Sequence, residues 1–329
     1  MEKADGMIEN IRRIVFYPFE FMSGSHSQYY WLTYLSAAAV AVLLLGALRR
    51  RGLTPGQIKR VLWPQRIVRH ASTKLDVKLL FLGIYYLLAQ ALLVGGFTLV
   101  TVAGVTGLLD NAFGAGPAPI GPSYWVTGMT MLLVFLAVEF GYWLAHWLMH
   151  TIPALWEFHK VHHSAEVLTP LTEWRQHPLE LALFPLLIGA ASSLVQGPMV
   201  WYFGASAQMV SPVSANLISM AFWYTTVHLR HTELPIHAEG MLGKLVQTPG
   251  HHQVHHSTDP RHFNKNLGYC LSIWDWAFGT LYLPKKGEKL SYGLGHQDDA
   301  LETAIGSVIA PFGRAARLLL GQFSRLTAK

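Results

Sequence analysis

The chain has 329 residues, of which 51% are hydrophobic and only 13% are charged, and its formal net charge is +6. Because soluble domains carry about 25% charged residues, this composition indicates a protein embedded in lipid. The single cysteine excludes an internal disulfide bond and a thiolate metal site, and the basic residues accompany no recognition motif, so we expect no nucleic-acid partner.

Two apolar runs occupy the first third of the chain. Trp31–Leu48 is followed by three arginines, as in a stop-transfer sequence, and residues 79–108 are long enough to cross a bilayer at about 20 residues per crossing. Nine lysines and arginines lie in 49–78, whereas 111–122 contains none. The positive-inside rule therefore places 49–78 in the cytoplasm and 111–122 outside.

A third apolar run, 124–148, returns the chain to the cytoplasmic side. The stretches 179–195 and 199–227 have no charge between them, so they could form a full hairpin or a re-entrant pair. The chain then becomes polar, and 312–326 has the pattern of a helix lying in the membrane interface. We predict an all-α, polytopic integral membrane protein with about four crossings, or crossings plus a re-entrant pair, and a cytoplasmic helical cap.

Histidines are concentrated in two short blocks, 146–163 and 251–256, which hold nine of the 17 in the chain. Neutral imidazole is the commonest transition-metal ligand. So many histidines near a membrane would be costly to bury unless they were ligated. His146 and His150 are four residues apart in a helical run, so both side chains lie on one face and can bind one ion.

The motif HxxHH occurs twice, at 159–163 and at 252–256. In the first copy we expect His159 and His162 to share a helix face and His163, about 100° away, to reach a second ion. The total exceeds the four to six ligands that one ion takes, so it indicates two ions with positions open for a small molecule. The candidate ligands are His146, His150, His159, His162, His163, His228, His231, His252, His255 and His256.

Two other histidines lie close to these motifs in the sequence. The register of the second HxxHH motif leaves His251 out of the ligand set. His177 lies in the sequence RQHPLE and could be a ligand or a structural residue beside the ligands.

The order HxxxH, HxxHH and HxxHH between apolar runs resembles the fatty acid hydroxylase / sterol desaturase superfamily of integral-membrane di-iron enzymes. The resemblance covers about 139–282 and includes an acidic residue seven positions before His146 and RxHPxE at 175–180. The motifs HTE, TPxHHxVHHS and KNxG, which follow, are most similar to the alkylglycerol monooxygenase branch and its bacterial relatives. Trp147 departs from the family, whose members usually have arginine there.

Hydropathy and this resemblance together imply a division of the chain, and the resemblance implies a set of cofactors. Hydropathy alone predicts that residues 1–120, which carry no family motif, form an N-terminal membrane region. We expect 121–285 to form a hydroxylase-type catalytic domain and 286–329 an amphipathic interfacial tail. The family implies two iron ions, O2 as co-substrate, and hydroxylation of a lipid: fatty acyl, sterol-like, or an alkyl or amino lipid. Imidazole ligands also suit zinc, which could occupy the purified protein but has no redox chemistry.

Electrons would have to come from an external donor such as a cytochrome, a ferredoxin or a reductase, because the sequence has no haem or dinucleotide motif. The membrane, the lipid substrate and this donor are the expected partners, with the active site on the cytoplasmic face.

Residues around the ligands are expected to orient the imidazole rings. Glu139, Asn266 and Asp275 could accept from ring N–H groups, or could instead cap or pack helices. Arg175 could pair with Glu180 or with a lipid headgroup. The candidates for these supporting contacts are Glu139, Arg175, His177, Asn266 and Asp275.

Three alternatives remain at this point. A desaturase of the same family would use the same site. A metal transporter or metal-storage protein would place ionisable residues near the middle of the membrane, whereas these histidines lie at one end. A metal-dependent hydrolase would need a carboxylate base beside an open zinc, and the sequence has no HExxH motif.

Overall fold

A computed structural model of the chain describes residues 31–50, 52–118, 121–207, 217–295 and 298–327. Within these ranges the chain is helical, and its only β-structure is an isolated bridge between Val246 and Leu271. The α-helices are α1 (Trp31–Leu48), α2 (Pro55–Leu62), α3 (Gln65–Val68), α4 (Ala71–Phe113), α5 (Tyr124–Thr151), α6 (Pro153–His163), α7 (Glu180–Phe203), α8 (Leu217–Trp223), α9 (Gly240–Leu245), α10 (Pro249–His255), α11 (Ile273–Ala277) and α12 (Ala304–Thr327). Short 3₁₀ turns lie at Pro170–Trp174, Gly204–Ala207, Val227–Leu229, Pro260–His262 and Asp299–Glu302.

Five of these helices are long and apolar enough to cross a membrane: α1, α5, α7, and the segments Gly95–Phe113 of α4 and Ala304–Gly321 of α12. The prediction of an all-α fold built on membrane helices is therefore confirmed. The apolar runs predicted at 79–108 and 124–148 lie inside α4 and α5, each of which is longer than its run.

Helices α4, α5 and α7 pack closely because small residues lie where they meet. A Cβ added at Gly141 of α5 would lie 2.7 Å from the Cα of Ile188 in α7, and one at Gly197 of α7 would lie 2.5 Å from Val105 of α4. Thr101 and Ser193 form a hydrogen bond of 2.6 Å between α4 and α7. Small residues and hydroxyl pairs are the usual means of helix association in membranes.

The prediction that 179–195 and 199–227 are two separate apolar segments is wrong. Helix α7 runs unbroken from Glu180 to Phe203 and contains Pro185 and Pro198. Proline interrupts helices in water, but membrane helices tolerate it because neighbouring groups satisfy the freed backbone. Residues 208–216 lie outside the described ranges, and the chain resumes in the short helix α8.

Helix α12 begins at Ala304, earlier than the amphipathic pattern of 312–326 predicts. Its Phe312 packs against Phe158 of α6, with ring centroids 5.2 Å apart. Near its middle, Arg314 donates hydrogen bonds of 2.6 and 2.8 Å to Asp298. An ion pair at this position suits a helix lying on the membrane surface better than one crossing the bilayer.

Candidate metal centre

The ends of three helices carry most of the candidate ligands. His146 and His150 lie in the last turns of α5, whose end at Ile152 is extended and is followed by Pro153 in the first turn of α6. Proline is well suited to that position because its missing N–H would be unpaired there. Because only Ile152 separates α5 from α6, the HxxxH and first HxxHH motifs lie close together.

Nine of the ten predicted ligands come together in two groups, and within each group the ligand nitrogens lie within 4.8 Å of one another. The first group has five members: His146, His150, His159, His163 and His255. The second has four: His162, His231, His252 and His256. Helices α5, α6 and α10 therefore all contribute to the first group, and α6 and α10 also contribute to the second.

The three histidines of α6 divide between the two groups differently from the prediction, which paired His159 with His162. His159 and His163 belong to the first group, whereas His162 belongs to the second. Residues four apart on a helix differ by about 40° in direction and residues three apart by about 60° in the opposite sense. Each i, i+4 pair therefore serves one group, and the same holds for His252 and His256 in the second group.

The ligands are electrostatically suited to metal. Burial lowers the pKa of His255 to about 3 and lowers the pKa values of His163, His252 and His256 well below 6.5, with the neighbouring histidines adding to the effect. The rings are therefore neutral, which is the form that binds metal ions.

Several inward ring nitrogens have no hydrogen-bond partner among the described residues. These buried atoms are Nε2 of His150, His163 and His255, all in the first group. A buried polar atom without a partner costs about 1–3 kcal/mol, so three in one place need a ligand. Two nitrogens at about 2.1 Å from a shared ion and at right angles would lie about 3 Å apart. Nε2 of His146 and His159 lie 3.0 Å apart, and Nε2 of His231 and His252 lie 2.8 Å apart. The residues present therefore fit a pair of bound ions.

Backbone carbonyls fix the outer nitrogens of three ligands. Nδ1 of His146 donates to the carbonyl of Leu267 at 2.8 Å, and Nδ1 of His255 donates to that of Lys265 at 2.9 Å. Nδ1 of His162 donates to the carbonyl of Arg175 at 3.2 Å. A carbonyl only accepts, so each Nδ1 carries the proton and each Nε2 presents its lone pair inward.

Two buried carboxylates hold further ligands, and sequence reasoning did not assign them this role. Nδ1 of His159 lies 2.6 Å from Oε2 of Glu180, and Nδ1 of His231 lies 3.1 Å from Oε2 of Glu173. Glu173 also pairs with Arg230 at 3.2 Å. Burial alone would raise the pKa of Glu173, but Arg230 and His231 outweigh it and hold that pKa well below its usual range. The motif RxHPxE was a signal for Glu180; the sequence around Glu173 carried none.

The acidic residues and the asparagine predicted to orient rings act on the backbone instead. Glu139 accepts from the N–H groups of residues 270 and 271, both at 2.8 Å. Asp275 accepts from the N–H groups of residues 267 and 268 at 2.8 and 2.9 Å, and Asn266 donates to the carbonyls of residues 251 and 282. Together they hold the 266–271 segment, whose carbonyl at residue 267 accepts from His146.

The side chains of two other candidates lie apart from both groups. Arg175 pairs with Asp76 at 2.7 Å and is only 2% exposed, so its guanidinium contacts neither Glu180 nor a lipid headgroup. His177 donates from Nε2 to the carbonyl of residue 308 and accepts at Nδ1 from the N–H of residue 179.

The prediction that His228 is a ligand is corrected. Its Nε2 lies 2.8 Å from Oγ1 of Thr33, and its ring stacks on Tyr34 with centroids 3.7 Å apart. It precedes His231 by three residues, but this part of the chain is a 3₁₀ turn rather than an α-helix, so the two side chains do not share a face. His251, which the register excluded, lies outside the groups and contacts Thr248 at 2.7 Å.

A cavity of about 280 Å³ reaches the first group at His150, His163 and His255. Trp156 and Phe263 form part of its wall. It gives a small molecule room beside the ligands.

Trp147, which departs from the family pattern, is partly exposed and belongs to neither group. Its ring stacks on Trp143 with centroids 6.2 Å apart. The departure therefore leaves the ligand set unchanged.

Comparison with known proteins places the site inside a recognised family region. Residues 131–280, which include every member of both groups, match the family described as fatty acid hydroxylase. The chain is 33% identical over 178 residues to alkylglycerol monooxygenase of Xenopus tropicalis, an alignment covering 54% of this chain and 36% of that protein. The human alkylglycerol monooxygenase is 31% identical over 178 residues, with the same two coverages of 54% and 36%.

A bacterial relative covers more of the chain. The ornithine lipid hydroxylase OlsE of Rhizobium tropici is 26% identical over 199 residues, which is 60% of this chain and 54% of that protein. The chain therefore spans about a third to a half of the length of these relatives. No solved structure matches it.

Proposed function

We propose that the chain belongs to the fatty acid hydroxylase superfamily, whose family model matches residues 131–280, and that it is a membrane-bound, O2-dependent di-iron oxygenase that hydroxylates a lipid. The observation that carries the proposal is the pair of neighbouring buried histidine groups, one of five and one of four. One oxygen atom would enter a C–H bond and the other would leave as water, which takes two electrons and two protons from outside the protein. Similarity to an alkylglycerol monooxygenase and to an ornithine lipid hydroxylase supports a lipid as the substrate.

Two iron ions held by these groups would supply the activation of O2 and the oxidising power to break an unactivated C–H bond. The protein's residues provide the setting for that chemistry. Glu180 and Glu173 hold the rings of His159 and His231 with their Nδ1 protons pointing outward. The carbonyl of Leu267 does the same for His146. Eight of the nine grouped histidines are buried, which limits the access of bulk water to the reacting atoms.

Iron is preferred to zinc because the proposed reaction is a redox reaction, and zinc has no accessible redox change. The ligand set itself, which contains imidazole and no thiolate among the described residues, accepts either metal. Zinc in a purified sample would therefore report metal exchange at the same site rather than a different function.

The active site is proposed to face the cytoplasm. The basic segment 49–78 and the histidine groups lie at the same end of the helices: Arg66 pairs with Glu233, two residues after the ligand His231. The far end of α4 contacts α7 instead, where Trp201 donates to Asp110 at 3.0 Å. The positive-inside rule assigns the basic end to the cytoplasm, where a cytochrome, a ferredoxin or a reductase would deliver electrons.

The proposal is tested by comparing the lipids of cells that express the intact gene with those of cells that express a variant in which His150, His162 and His255 are all alanine. We expect one lipid class to gain a single oxygen atom only with the intact gene, measured by untargeted mass spectrometry. Loss of two hydrogen atoms instead would identify a desaturase. Identical lipids in both strains, in cells supplied with iron and oxygen, would contradict the proposal and favour metal transport or storage.

A further inference from the structure

Asp76 lies near the start of α4, well before the region 131–280 that matches the family. Its side chain is completely buried. Oδ1 accepts from Nε of Arg175 at 2.7 Å, and Oδ2 accepts from the hydroxyls of Thr172 and Thr169 at 2.9 and 3.3 Å. These three hydrogen bonds therefore join the Asp76 carboxylate to the segment between α6 and α7.

Arg175 extends these contacts in two directions. On one side its Nη2 donates to the carbonyl and hydroxyl oxygens of Ser72 in α4, at 2.7 and 2.9 Å. On the other side its Nη1 donates to Oγ of Ser164 at 3.1 Å. Ser164 directly follows the ligand His163. One guanidinium therefore joins the start of α4 to the end of α6.

The backbone of the same arginine holds a ligand directly. Its carbonyl accepts from Nδ1 of His162 at 3.2 Å. His162 and His163 belong to different groups, so a shift at the end of α6 would disturb both groups at once. Arg175 is only 2% exposed, and a buried guanidinium stays in place only if its charge is paired.

We propose that Asp76 is a positioning residue for the metal centre. By pairing with Arg175 it fixes the end of α6, so that His162 and His163 each reach a separate ion. The inference rests on the proposed function, because it presupposes that the two groups bind metal. It adds that a residue outside the matched region is part of the architecture on which metal binding depends.

The competing explanation is that Asp76 contributes only to packing. Variants that remove one or both charges of the pair between Asp76 and Arg175 distinguish the two explanations. Asp76→Asn can keep the hydrogen bonds to Thr169 and Thr172 but leaves Arg175 without a counter-charge. A double variant, Asp76→Asn with Arg175→Gln, removes both charges. The shorter amide that replaces the guanidinium in that variant cannot reach the partners on α4 and on α6 together, so fold stability recovers while positioning does not.

The test uses the full chain in detergent micelles, loaded with iron or with cobalt, whose optical spectrum reports ligand geometry. We expect Asp76→Asn to bind metal about ten- to hundredfold more weakly than the wild type and to show an altered cobalt spectrum. The matched control is Asp110→Asn at the far end of the same helix, which should bind metal as the wild type does. The double variant should unfold near the wild-type temperature and still bind metal weakly.

Three results would overturn the inference. One is wild-type metal affinity and spectrum in Asp76→Asn. Another is wild-type metal affinity in a folded double variant. The third is loss of metal strictly in parallel with loss of fold in both variants, which would make the ion pair a stability element only. A wild-type chain that binds no metal would instead contradict the proposed function itself.

Discussion

Replacing either His150 or His162 with alanine is expected to abolish lipid hydroxylation and to lower the iron content from about two ions per chain to about one. His150 belongs to the first group and His162 to the second, so each substitution removes a ligand from one ion and leaves the other group intact. An oxygenase that needs both ions would lose turnover in either case. Iron per chain is measured by mass spectrometry of the purified protein, beside turnover of the lipid identified in cells.

Two histidines outside the groups provide matched controls. His251→Ala and His177→Ala each remove a buried imidazole, but the contacts of those rings are with Thr248 and with the backbone of α12. We expect both variants to keep two irons per chain, with a modest loss of stability. An active His150→Ala or His162→Ala variant would contradict the assignment of these histidines as ligands of two essential metal ions. Loss of metal in His251→Ala would show that the register of the second HxxHH motif is wrong.

Glu173→Gln is expected to destabilise the protein by about 3–5 kcal/mol, because it leaves the buried Arg230 without its counter-charge. Glu173 lies 3.2 Å from Arg230 and 3.1 Å from Nδ1 of the ligand His231, and all three side chains are buried. Since the glutamate also orients a ligand ring, metal affinity should fall about ten- to hundredfold. Thermal unfolding of the metal-free protein measures the loss of stability alone, and metal titration measures the loss of affinity.

Glu166→Gln is the matched control for this prediction. Glu166 has a side chain that is 64% exposed, and the imidazole of His70 lies 3.9 Å from its carboxylate. Exposed pairs of this kind contribute about 0–1 kcal/mol, so stability and metal affinity should be nearly unchanged. Equal behaviour of the two variants would contradict the role given to Glu173.

The sequence was sufficient to predict the helical membrane architecture and which motifs form the site. Because the spacing of residues on a helix determines the direction of their side chains, the motifs HxxxH and HxxHH indicate which imidazoles can converge. The pairing of His159 with His163 was missed because the 100° separation of adjacent residues was applied without comparing the three- and four-residue spacings. His228 was misassigned because α-helical spacing was assumed for a 3₁₀ turn.

The supporting contacts could not be read from sequence patterns. Glu173 and His231 are far apart in the chain, and only tertiary packing brings them together. Likewise Asp76 reaches the site through an ion pair with Arg175, which no motif in the N-terminal region indicates. Helix α7 continues through Pro198, and the adjacent Gly197 packs closely against Val105 of α4, a contact that no sequence pattern indicates.

Locating the metal ions in the purified, iron-loaded protein tests the central claim most directly. Anomalous scattering at the iron absorption edge should give two peaks in each chain. One peak should lie among the five histidines that include His146 and His255, and the other among the four that include His162 and His231. A single peak, or peaks away from these histidines, would contradict the account.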